Sequence, residues 1–132
     1  MSDAYVYTME LKLKAGVTQD QAILLLDALY DAAYGRRSES FLLIYEKPNW
    51  IVSLDSAEFN GNDFELTLYK NGFLAMLEDQ EYGCEGFAQK YFYRIRDGIL
   101  EYCGTVQVPD GKWQDYRSLF KLVDAKESEA HV

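Results

Sequence analysis

Histidine is nearly missing from this chain. Among 132 residues there is one, His131, beside the C-terminus in a polar stretch. A Ser–His or Cys–His nucleophile needs a rigidly held base, and a frayed tail is a poor scaffold for one. Cysteine is nearly as scarce. Cys84 and Cys103 lie far apart with no CxxC motif, so they make neither a disulfide framework nor, with one histidine, a closed zinc set. Two buried free thiols are the expectation. Only two prolines occur, Pro48 and Pro109, each beside turn-forming residues. No apolar run approaches the roughly 18 residues of a membrane span. After Met1 the chain reads Ser-Asp-Ala-Tyr, without the basic and apolar regions of a signal peptide. A cytoplasmic location is expected.

Positive charge is also in short supply. Thirteen bases stand against 22 acids, a formal charge of −9. A duplex binder replaces counterions around phosphates, and this chain would be repelled by them and by anionic membranes. The expected partner is a protein with a basic surface, not duplex nucleic acid or a membrane. No cofactor is expected. There is no phosphate-cradling glycine motif, because Gly83-Cys84-Glu85-Gly86 carries acids where a phosphate needs amides and cations. An EF-hand also fails. Aligned on Gly61, its first and twelfth ligand positions fall on Ser56 and Thr67.

Apolar and aromatic residues are plentiful. Hydrophobic residues make up 48% and aromatics 15%, too much for a disordered chain and enough for one core at this length. Eleven tyrosines suit half-buried sheet faces, since each has an apolar ring and a polar tip.

The patterning predicts an α+β domain over residues 1–123 and a polar tail over 124–132. Tyr5, Tyr7, Met9, Leu11 and Leu13 alternate with polar residues, as in a half-buried strand. Thr18 and Gln21 form a capping box for a helix running to about Tyr34, with Gly35 beyond its end. Its expected buried stripe is Ala22, Ile23, Leu26, Leu29, Tyr30 and Ala33. Phe41–Tyr45 and Trp50–Leu54 read as a hairpin, and 55–63 as a polar loop. Phe64, Leu66 and Leu68 alternate and predict a strand, Asn71-Gly72 a hairpin turn, and 73–82 a return strand with a helix as the alternative. Asp97-Gly98 predicts a second hairpin, between 87–96 and 99–108. Trp113–Val123 has apolar residues at helical spacing and predicts a C-terminal helix. The architecture is thus an antiparallel sheet built from hairpins, with one long helix after the first strand and a C-terminal helix packed on one face.

The acidity is local. Residues 55–85 hold Asp55, Glu58, Asp63, Glu65, Glu78, Asp79, Glu81 and Glu85 against Lys70 alone, while the rest of the chain is near balance. A hairpin at Asn71-Gly72 would bring these acids together at one end of the sheet. They are the candidate partner-binding residues. Solubility is the plainer explanation of such a surface. No catalytic or metal-ligating set is identified, because sequence spacing alone does not show which carboxylates pair.

The expected function is a non-enzymatic acidic binding module, an inhibitor that covers the basic nucleic-acid groove of another protein. In composition the chain is similar to small phage counter-defence and bacterial immunity proteins: short, acidic, histidine-poor and without catalytic motifs. A second reading is a small-ligand or enzymatic domain with an aromatic pocket lined by Tyr45, Trp50, Tyr91, Tyr93 and Tyr102. A third is a dimeric assembly subunit with paired sheet edges. The run Tyr91-Phe92-Tyr93-Arg94-Ile95-Arg96 mixes aromatics and arginine as single-strand binders do, or forms one packed strand face.

Overall fold

A computed structural model describes residues 4–105 and 114–115. It is an α+β fold with an antiparallel sheet. The strands are β1 (Ala4–Lys12), β2 (Phe41–Glu46), β3 (Asn49–Asn60), β4 (Gln80–Gly86), β5 (Gln89–Arg96), β6 (Ile99–Thr105) and β7 (Gln114–Asp115). Helix α1 (Gln19–Ala32) follows β1, and α2 (Asp63–Tyr69) joins β3 towards β4. The sheet order is β2-β3-β1-β4-β5-β6-β7.

Strand β1 lies between β3 and β4 and organises the core. Its alternation is as expected: Tyr7, Leu11 and Leu13 are buried, and Tyr5 and Met9 are half-buried. In antiparallel pairs, opposite residues share a face. Tyr7 therefore joins Ala57, and Leu11 joins Val52, beneath the helices. Val6, Glu10 and Lys12 point to the other face, which we call the open face. Among the described residues, the two helices pack on the Tyr7 side.

Helix α1 starts as its sequence demands. Thr18 Oγ1 accepts from Gln21 N at 3.2 Å, and Gln21 Oε1 accepts from Thr18 N at 2.9 Å. The helix stops at Ala32, before Tyr34, where the Ala33 N–H turns back to the Tyr30 carbonyl. Its buried residues are Ala22, Leu25 and Leu29, while Ile23 is exposed. The stripe was expected to include Ile23 and omit Leu25. Contacts with β2, β3 and α2 turn the Leu25–Leu29 line inward instead.

Three expectations need correction. Residues 55–60 are strand, because β1 goes on pairing with β3: Ala4 to Tyr7 face Asn60 to Ala57 across a bulge at Asp55–Ser56. Phe64–Leu68 is helix, with Phe64 and Leu68 one helical turn apart and both buried. Asn71 and Gly72 do adopt positive φ, but inside a 3-10 segment, Lys70–Met76, and not at a hairpin tip. Strand β4 starts only at Gln80. The expected C-terminal helix and the tail lie outside the described residues, except Gln114–Asp115, which pair with β6 as strand.

Two hairpins join β4, β5 and β6. Asp97 and Gly98 both have positive φ, as a type I′ turn requires. At the other tip Phe87 and Ala88 hold positive φ without glycine or asparagine. Beside that tip, Gly86 supports the ring of Tyr5. A β-carbon there would lie 2.5 Å from the ring. Gly86→Ala is expected to push Tyr5 off its contacts with Phe87 and Tyr91 and to destabilise the fold by about 1–3 kcal/mol. A urea titration would read this as a lower midpoint, and an unchanged midpoint would refute the contact.

Candidate functional site

The acids of 55–85 divide into three groups. The first lies around the open face. Val6 pairs with Glu58 on β3 and with Glu85 on β4, so the two carboxylates flank it. At about 4.8 Å per strand, their backbones are roughly 10 Å apart. Asp55 is exposed at the bulge, where the Ser56 N–H donates to Thr8 Oγ1 at 3.0 Å. Glu81 shares the face with Glu85, since both occupy alternate positions of β4. Glu10, absent from the sequence-derived set, joins them from β1 opposite Ser53. Its place was legible from the β1 alternation alone.

This face also carries bases. Lys90 lies opposite Glu85, and Arg94 opposite Glu81. Arg94 further bonds Glu101 at 2.9 Å. Lys90 sits 5.8 Å from the centre of the Phe92 ring. Lys12 lies on this face too, beside Glu10 on β1, so the acids outnumber the bases at β3–β1–β4. The cleft there, about 190 Å³, is lined by one of each, Glu85 and Lys90, with Val6, Thr8 and Ser56. The aromatic–arginine strand splits between faces: Tyr91, Tyr93 and Ile95 join the helix side, and Phe92, Arg94 and Arg96 the open side.

The second group is structural. Glu78 Oε1 accepts from Asn49 Nδ2 at 3.2 Å, and Asp79 Oδ1 accepts from the Asp97 N–H at 3.0 Å. Asp63 lies in the first turn of α2, where burial raises its pKa against the pull of Lys70.

The third group is one residue, Glu65. It is fully buried on the core side of α2 and is no part of a docking surface in this fold. Its Oε2 accepts from Tyr7 Oη at 2.7 Å and from Tyr82 Oη at 2.9 Å. Oε1 has no hydrogen-bond partner among the described residues. Burial pushes the carboxyl up to about 7, despite the two phenolic donors that favour its charged form. Burial and the Glu65 charge likewise raise Tyr7 and Tyr82 well above the usual phenol value. Burial, then Glu65, pushes the Cys84 thiol up to about 12, so it is no nucleophile at neutral pH.

The five aromatic-pocket candidates form two separate sets. Tyr45 and Trp50 pair across β2 and β3 with ring centres 4.7 Å apart. Tyr91, Tyr93 and Tyr102 lie on β5 and β6, beyond β1 and β4. Tyr82, Tyr93 and Tyr102 form a cross-strand row, with the first two stacked at 5.0 Å and 9°. Strand β5 also separates Cys84 from Cys103, and both thiols are free. Among the described residues, no group of three His, Cys, Asp or Glu is placed to hold a metal, and no helix is long and apolar enough to cross a membrane.

No protein-family model, curated protein or solved structure matches the chain. Its functional reading is carried by geometry alone.

Proposed function

We propose that the protein is a non-enzymatic binding module for a protein with a basic surface, such as the nucleic-acid groove of another protein, which the module would cover. The observation that carries this reading is the placement of Asp55, Glu58 and Glu85 around β1 at Val6–Thr8. Three adjoining strands hold them on a rigid face that the helices leave open. Complementary charge accelerates encounter and sets orientation, and Phe87, 58% exposed at the tip beyond Glu85, offers an apolar anchor. Glu65, whose carboxyl burial pushes up to about 7, is enclosed in the core and serves the fold.

Charge reversal tests the reading. The triple variant Asp55→Lys, Glu58→Lys, Glu85→Lys is expected to lose partner capture in a low-salt pull-down and to keep its melting curve nearly unchanged. Each of these side chains is exposed or half-buried and anchors nothing in the core. Equal capture by the variant and the original chain would overturn the acidic-face reading. No capture by either would overturn the binding module itself.

A further inference from the structure

Strand β2 ends the sheet. Among the described residues its only strand partner is β3, so no described strand pairs with the backbone N–H and C=O groups of its outer edge. Proteins commonly blunt such edges with lysine, proline or a bulge. Phe41-Leu42-Leu43-Ile44-Tyr45 contains none of these and pairs with β3 in unbroken register, with Glu46 closing the strand and Lys47-Pro48 following it. Leu42 is 58% exposed and Tyr45 50% exposed. Helix α1, packed beside β2, also exposes Leu24 at 63%.

Charge favours this edge for self-association. The chain as a whole is −9, but residues 36–48 hold three bases, Arg36, Arg37 and Lys47, against two acids, Glu39 and Glu46. Two copies therefore meet little net repulsion here. The edge is also self-complementary. An antiparallel pair of β2 strands related by a two-fold axis at Leu43 overlaps all five apolar residues. Leu42 then faces Ile44 of the second copy on the open side, and Phe41 faces Tyr45 on the helix side. The shared register stops at the strand ends, because Ser38–Ser40 before β2 is a 3-10 turn and Lys47 after it lies in the turn to β3.

We propose that β2 is a homodimerisation edge, joining two copies of this chain into one continuous antiparallel sheet in the register centred on Leu43. A two-fold contact of this kind uses the same patch on both copies and closes, so it blocks the edge against further growth.

Sedimentation velocity on the full chain tests the proposal. The original chain should shift from monomer to dimer as its concentration rises. Leu42→Lys should remain monomeric with an unchanged melting temperature, because that side chain is exposed. Tyr45→Lys sets a charge against Phe41 of the second copy and should weaken the dimer at least roughly tenfold. A chain that stays monomeric throughout overturns the proposal, even if its edge accepts a strand from another protein. So does a dimer indifferent to Leu42→Lys or to Tyr45→Lys.

Discussion

Raising the pH from about 4.5 to about 7 should weaken the fold, and Glu65 is the reason. Its carboxyl titrates near its ordinary value of 4.5 in the unfolded chain but is pushed up to about 7 in the buried site. Between those values the native state holds a proton that the unfolded state has released. Stability from this group is therefore complete below about 4.5, falls as pH rises and levels off above about 7. A shift of this size corresponds to a loss of about 3 kcal/mol. Tyr7 and Tyr82 act in the same direction at alkaline pH, since both phenols are raised and ionise first in the unfolded chain. Urea unfolding across the pH range reads both effects. Glu65→Gln keeps an oxygen for the two hydroxyls and cannot ionise, so its profile should flatten between 4.5 and 7. The variant should be the less stable protein in acid and gain on the original as the pH rises. An original chain with no stability loss over this window, or a variant with the same slope, would refute the role of Glu65.

Truncating Phe64 should cost more still. Its ring stacks on Tyr7 at 4.3 Å and meets Phe59 and Tyr82 edge-on at 5.2 and 5.4 Å. Phe64→Ala removes contacts on three sides and leaves a cavity, a change that destabilises by about 3–5 kcal/mol. The cavity opens beside Glu65, whose carboxyl is raised chiefly by desolvation. Water admitted there should return the carboxyl towards its ordinary range, so the pH dependence should shrink along with the stability. Denaturation of the variant at two pH values separates the effects. A large stability loss with an undiminished pH slope would show that Phe64 packs the core without shielding Glu65.

These two residues also mark where sequence reading stops. Phe64, Glu65, Leu66, Thr67 and Leu68 alternate in polarity, which is the signature of a strand. The same residues fit one short helix with Phe64 and Leu68 inward, and periodicity over five residues does not separate the two. Glu65 counted as a surface acid because a buried carboxylate requires partners, and Tyr7 and Tyr82 lie 58 and 17 positions away. Strand β4 was hidden for a related reason. Its turn into β5 uses Phe87 and Ala88 at positive φ, where asparagine and glycine are the usual markers. The Asp97-Gly98 turn carries those markers and was legible at once.

Local chemistry sufficed for β1, the capped start of α1, the β2–β3 hairpin and the turn between β5 and β6. In each, neighbouring residues supply the periodicity, the cap or the turn. The sequence also placed the excess acid in residues 55–85. Tertiary structure decided how that charge divides. Inserting β1 between β3 and β4 sets Glu58 and Glu85 on either side of Val6, and α2 carries Glu65 into the core. That division depends on strand order and on which face the helices cover. Both are set by contacts between residues distant in the chain, so no local pattern encodes them.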